Sequence, residues 1–175
     1  MHVVQPLTAA KRKPAGRPAE DRHARIVREK LQGYADRGVF RAYQERARPG
    51  GVIEFRFIWL MSKPLVLVFE PLEHRLVFKN LLPNVPARSD MYAKLSAYLA
   101  GRSDTSLPPH RRVDPRNADA SFENRRSSVS LILAVKGNRY AYGIGKILNL
   151  TNELFGYLQM NHLPYLWEEF DVSQE

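Results

Sequence analysis

Val52-Ile53-Glu54-Phe55-Arg56-Phe57-Ile58-Trp59-Leu60-Met61 is followed by Ser62-Lys63-Pro64, Leu65-Val66-Leu67-Val68-Phe69, Pro71-Leu72-Glu73-His74 and Arg75-Leu76-Val77-Phe78-Lys79-Asn80-Leu81. The reading of this stretch decides the fold. The first run is rich in Ile, Phe and Trp, the second is continuously apolar and suits a central strand, and the third alternates. Short proline-containing breaks separate them. Strands joined by connections this short return antiparallel, so residues 52–81 read as a meander. Upstream, Arg48-Pro49-Gly50-Gly51 is a turn signal, and residues 39–45 form a candidate first strand.

Helical patterns flank the meander. Over residues 20–37, Ile26, Val27, Leu31 and Tyr34 share one face, with Gly33 and Gly38 near the end. After Pro83 and Pro86, Ser89 supplies an N-cap hydroxyl and Asp90 suits the positive helix end. Tyr92, Leu95, Tyr98 and Leu99 then make a core-facing stripe up to Gly101. Residues 102–126 read as a long, polar, irregular run. Residues 127–135 form a buried strand, with Lys136-Gly137-Asn138 as a hairpin turn and 139–144 as its partner. Residues 146–160 are helical and 165–170 make a short terminal helix. The expected fold is therefore α+β: an antiparallel sheet of about five to six strands with helices packed mainly on one face. It occupies residues 20–175 as one domain, behind a disordered basic tail over 1–19. No internal repeat and no βαβ alternation point to a doubly wound nucleotide fold.

The chain has 175 residues, 44% of them hydrophobic, with no cysteine, which excludes disulfides, thiolate metal sites and cysteine nucleophiles. No stretch reaches the ~20 apolar residues of a membrane span. The N-terminus lacks the apolar core of a secretory signal, so the cytoplasm is the expected location. The charge is less ordinary: 27 Lys+Arg against 18 Asp+Glu give +9, of which the first fifty residues hold most. Residues 4–20, rich in Pro, Gly and Ala, bury too little to offset their ordering entropy. Within them Lys11-Arg12-Lys13-Pro14-Ala15-Gly16-Arg17-Pro18 resembles the AT-hook minor-groove motif, with Ala15 where the motif carries an arginine.

Catalytic motifs are incomplete. Gly143-Ile144-Gly145-Lys146 ends like a P-loop, but Tyr140 stands where the first glycine belongs and Ile147 where a magnesium-binding hydroxyl would be. The five histidines form no ligand pair, and no metal or cofactor is expected. No serine nucleophile motif occurs. The segment 107–126 holds the candidate site. His110, with Asp114 four residues on, has the elements of an acid–base pair. Arg111, Arg112, Arg116, Arg125 and Arg126 offer guanidinium forks for a phosphate or carboxylate, or for structural pairing with Asp114, Asp119 and Glu123.

The helix–strands–helix–hairpin–helix order over residues 20–170 resembles the small α+β fold of type III secretion chaperones and the related bacterial sensory-transduction-regulator proteins. The segments Phe78-Lys79-Asn80-Leu81-Leu82-Pro83-Asn84-Val85 and Leu107-Pro108-Pro109-His110-Arg111-Arg112-Val113-Asp114 are similar to segments of uncharacterised bacterial proteins. The resemblance implies a homodimer that holds an extended client on apolar sheet surface, although such chaperones are typically acidic and this chain has a pI near 10.0. The expected function is a non-enzymatic protein-binding, adaptor or chaperone-like role in a dimer with a protein partner and no membrane. The alternative is nucleic-acid binding through Lys11, Arg12, Lys13 and Arg17 with the first helix and the arginine-rich segment. A second alternative is an enzyme with its site at 107–126.

Overall fold

The meander forms where the sequence places it. In the computed structural model, which describes residues 19–172, the order is α1 (Ala19–Asp36), β1 (Arg41–Ala47), β2 (Ile53–Ile58), β3 (Pro64–Glu70), β4 (Arg75–Leu82), α2 (Asp90–Ala100), β5 (Ala118–Arg125), β6 (Ser128–Val135), α3 (Tyr140–Asn161) and α4 (Leu163–Phe170). The tail positions Lys11, Arg12, Lys13 and Arg17 lie outside the described residues. The six strands form one sheet in the order β1-β2-β3-β4-β6-β5, with every neighbouring pair antiparallel. The fold is thus α+β.

Strand alternation sorts side chains between the two faces. Phe55 and Phe57, Leu67 and Phe69, Leu76 and Phe78, and Leu131 and Leu133 all point to one face and are essentially inaccessible. Each such burial contributes roughly 1.5–3 kcal/mol. The helices cover this face. In α3, Tyr140 packs edge-on against Phe69 at 5.5 Å and stacks on His23 of α1 at 4.6 Å. Ahead of β1, Phe40 stacks on Phe57 at 4.1 Å. Near the N-terminus of α2, Ser89 Oγ accepts the Tyr92 N–H at 3.1 Å, the cap its sequence indicates. At one end of the sheet α4 is tied down by Tyr165, whose hydroxyl donates to the Pro83 carbonyl at 2.6 Å. Among the described residues no helix packs on the opposite sheet face.

Three sequence expectations are corrected. Residues 102–126 are not structureless throughout: Ala118–Arg125 is edge strand β5, pairing with β6 from Ala118↔Val135 to Arg125↔Ser128. Its signal was hidden because the connecting turn is Arg126-Ser127, both at positive φ (52° and 64°), the geometry that glycine and asparagine normally mark. Residues 139–144 are not a returning strand, since α3 begins at Tyr140 and the hairpin partner of β6 precedes it in sequence. Strand β2 also stops at Ile58, short of Met61. Leu60 takes φ 66° and the Met61 N–H bonds back to the Trp59 carbonyl at 2.7 Å, which turns Leu60 outward.

Residues 78–85 and 107–114 have structural roles. In residues 78–85 β4 carries a bulge at Asn80 (φ 49°), whose N–H donates to Ser130 Oγ at 3.0 Å while its Oδ1 accepts from Ser128 Oγ at 3.0 Å. Val85, fully buried, donates to the Ser127 carbonyl at 2.7 Å and accepts from Asn124 Nδ2 at 2.8 Å. In residues 107–114, Val113 is buried and donates to the Arg102 carbonyl at 2.8 Å, and the Asp114 N–H donates to the Tyr142 hydroxyl at 2.9 Å.

Candidate functional site

The arginines of residues 111–126 do not converge. Arg116 grips Asp114 through both carboxylate oxygens (Nε to each at 3.2 Å, Nη2 to one at 2.9 Å), and this pairing holds the Asp114 carboxyl down at about 2. Arg125 pairs with Glu123 at 2.5 Å, two residues back along β5, and Arg126 sits exposed in the turn beyond it. The length of β5 separates Arg116 from this pair, at roughly 3.3 Å per residue. Arg112 donates to the Thr105 carbonyl at 3.0 Å. Asp119 is paired with Lys136 at 3.3 Å. His110 is exposed on a single 3-10 turn over Pro109–Arg111, and the carboxylate considered as its partner is taken by Arg116. Of these arginines Arg111 lines a concave surface.

That surface is a groove of about 660 Å³ along the outer side of α3. The helix turns Ile147, Leu150, Leu154 and Leu158 into the core, so Asn152, Gly156 and Met160 of the opposite stripe form the groove floor. One wall is the Tyr98–Tyr157 pair, stacked at 4.3 Å, which joins α2 to α3. The other is Leu60 and Met61 from the β2–β3 connection, with Val172 after α4. Leu60, Met61 and Val172 also line a second hollow of about 440 Å³ that continues to Val39 and Trp59. The two hollows therefore make one long trough, apolar at Leu60, Met61 and Val172 and polar where Arg41, Ser62 and Asp171 line the second. Among the described residues four large hydrophobic side chains are exposed, and three of them, Val39, Leu60 and Met160, lie along it. Met160 is 87% exposed.

Charge is concentrated at one end. Arg102 lies over the Tyr98 ring at 4.5 Å and donates to Glu153 at 3.1 Å, and Arg111 reaches the other oxygen of the same carboxylate at 3.4 Å. Two guanidiniums thus share one carboxylate, and this end of the groove is positive. The Tyr98 hydroxyl is pushed up by burial, an effect the adjoining Arg102 opposes. At the far side of Tyr157, His162 packs edge-on at 5.6 Å and its buried Nε2 has no hydrogen-bond partner. Burial lowers its pKa below the ordinary histidine value, nearby Lys94 adds to this, and Asp90 opposes it.

Lys146 explains how the loop beside the groove is held. It belongs to the Gly143-Ile144-Gly145-Lys146 segment, which lies within α3 instead of forming a phosphate-binding loop. The ammonium, buried to 6% exposure, donates to the Pro109 and His110 carbonyls at 3.3 and 3.2 Å, and lies 5.5 Å over the Tyr142 ring. Burial lowers its pKa below the usual lysine range. Among the described residues no group of three or more His, Asp or Glu side chains is placed to hold a metal ion, and no helix is long and apolar enough to cross a membrane.

Sequence reading did not single out the groove. Met160 and Gly156 fall at helical spacing from Asn149 and Asn152, on the polar side of α3, and a large apolar side chain out of phase there was the available signal. Leu60 was absorbed into a strand that stops two residues earlier. The chain matches no known protein family, no curated protein and no solved structure.

Proposed function

We propose that this protein is a non-enzymatic binding module that seats an apolar stretch of a protein partner in the trough over α3. The observation that carries the reading is the gathering of Val39, Leu60 and Met160, otherwise scattered in sequence, along one continuous hollow floored by Gly156. An exposed apolar trough of this kind, with polar side chains at its rim, is characteristic of an interaction surface. Met61 and Met160 are unbranched and polarisable, so they adapt to varied side chains. The shared Glu153 leaves positive charge beside Arg111, and an occupant with a carboxylate following its apolar residues complements that end.

The test uses a panel of labelled amphipathic peptides with Leu or Met at positions i, i+3 or i+4, and i+7, each with or without a glutamate at one end. Fluorescence anisotropy on the wild type is compared with M160E/L60E and with L72E, which alters the exposed hydrophobe outside the trough. Burying one Met or Leu contributes roughly 1.5–3 kcal/mol, so M160E/L60E should weaken binding at least tenfold while L72E leaves it unchanged. No binding to the wild type, or equal binding by M160E/L60E, refutes the proposal. A wild-type dimer that M160E converts to monomer would make the occupant a second copy of this chain and also overturn it.

A further inference from the structure

We infer that the uncovered face of the sheet binds the backbone of a nucleic-acid duplex, independently of sequence, through Arg41, Arg46, Arg56 and Lys79. The strand register puts all four on the helix-free face: Arg41 stands opposite Ile58, Arg46 opposite Glu54, and Arg56 and Lys79 on either side of Val66. All four are exposed, and among the described residues none has a carboxylate at ion-pair distance. The acids of this half-face are already neutralised, Glu54 by Arg48 at 3.3 Å and Glu70 by Arg75 at 2.7 Å. Two strand spacings separate Arg56 from Lys79, about 10 Å. The result is a basic field.

Its other properties select the kind of polyanion. The valines beneath the charges, Val68 and Val77, are sealed at 1% and 3% exposure, and the hollow beside Arg46 and Arg56 is lined by Gln44, Glu45, Glu54 and Val66, so the charged field offers a protein partner little apolar surface on which to anchor a side chain. The aromatic side chains of these strands, Phe55, Phe57, Phe69 and Phe78, all point into the core. Unpaired bases therefore have no platform on which to stack, and single-stranded binding loses its main favourable contact. Phosphate contacts need neither pocket nor ring, only cations in a suitable array, and they carry no sequence information.

The experiment measures anisotropy of a ~20-bp labelled DNA duplex at about 50 and 200 mM salt, where each phosphate neutralised contributes ~0.9 to the log–log slope. The background is the full chain with the tail neutralised (K11Q/R12Q/K13Q/R17Q). Four contacts give a slope of about −3.6, a loss of roughly 150-fold between those salts; adding R46Q/R56Q should flatten it to about −1.8, roughly 12-fold. R116Q/R125Q should leave the slope unchanged. The inference is overturned if this background fails to bind at the lower salt, if R46Q/R56Q leaves the slope as it was, or if R116Q/R125Q flattens it equally. Tighter binding of single-stranded DNA would overturn it too. Competition by polyglutamate as strong as by duplex at equal charge would assign the face to acidic protein instead. Because Leu60 and Met160, the residues varied in the peptide assay, do not line the hollow of Arg46 and Arg56, failure here leaves the groove reading intact.

Discussion

Replacing Gly143 with alanine should destabilise the protein, although the same change two residues later should stabilise it. Both glycines lie inside α3, where alanine is favoured over glycine by about 1 kcal/mol. At Gly145 an added Cβ meets nothing within 4 Å, so G145A gains that preference without opposition. At Gly143 the Cβ would sit 2.8 Å from Val135 Cγ2, with Leu76 Cδ1 at 3.6 Å. Val135 is buried on β6 and β-branched, so its χ1 has little freedom to turn the methyl away. Overpacking of this kind costs roughly 1–3 kcal/mol, which exceeds or cancels the helical gain. The two variants should then differ by about 1–3 kcal/mol. In thermal melts that is roughly 2–4 °C per kcal/mol for a chain of this size, with G145A above the wild type and G143A at or below it. Trimming the clash with V135A should make G143A less harmful than in the wild-type background, a coupling of about 0.5–3 kcal/mol in a double-mutant cycle. Equal upward shifts for G143A and G145A, with no coupling to Val135, would show that α3 does not approach β6 this closely.

Other perturbations probe separate joints. The Arg126-Ser127 turn holds two non-glycine residues in the left-handed region, so R126N/S127G should raise stability by roughly 1–2 kcal/mol, measured by urea denaturation with an unchanged slope. K146M removes the charged donor shared by the Pro109 and His110 carbonyls, and hydrogen exchange at the Arg111 and Val113 amides should quicken by at least tenfold, since hydrogen bonds to a charged group contribute about 1.5–3 kcal/mol. His162 has a folded-state pKa below its unfolded value, so its neutral form is the one the fold accepts. Its contribution is complete above the ordinary histidine value and is lost as the pH falls through that value toward the lowered one. Wild-type melting temperature should therefore drop more than that of H162Q between about pH 8 and 5, and parallel curves would refute the assignment.

What the sequence made legible was whatever expressed itself as local periodicity. Residues 52–81 alternate or run apolar between proline breaks, and α2 announces itself through Ser89 and the stripe ending at Leu99; apart from the early end of β2 at Ile58, both are where the pattern puts them. Strand β5 was invisible for an energetic reason. Its inward residues, Ala118, Ala120 and Phe122, are mostly small, and its outward ones are Asp119, Ser121, Glu123 and Arg125, so an edge strand covered from one side leaves almost no hydrophobic alternation. The start of α3 was misread because Tyr140 and Tyr142 fit a strand equally well, and Gly143 looks like a turn until Val135 is seen pressing on it. The site was less legible still. The arginines that cluster in sequence between 111 and 126 are divided by β5, and Arg116 and Arg125 are neutralised by their own neighbours, so proximity along the chain said nothing about convergence. Groove residues 39, 60, 98, 156 and 160 come from four segments and meet only once the sheet is folded.

The two proposed surfaces meet at Arg41, which lines the hollow of Val39 and Trp59, but Arg46 and Arg56 line a separate hollow, and this makes the variants separable. The side chains between them, from Phe55 to Leu133, are buried and apolar, and no hydrogen-bond chain carries charge across. Perturbations more than about 7–10 Å apart with no shared partner add within a few tenths of a kcal/mol. M160E should therefore weaken peptide binding without moving the salt slope for duplex, and R46Q/R56Q should do the reverse. The combined variant should lose both in the same proportions, measured by the two anisotropy assays on a single preparation. Additivity would define a two-sided adaptor whose sheet only holds the surfaces apart. A coupling above about 1 kcal/mol would mean that occupation of the groove shifts the strands, and the packed layer would then be a transmitting element instead of an inert one.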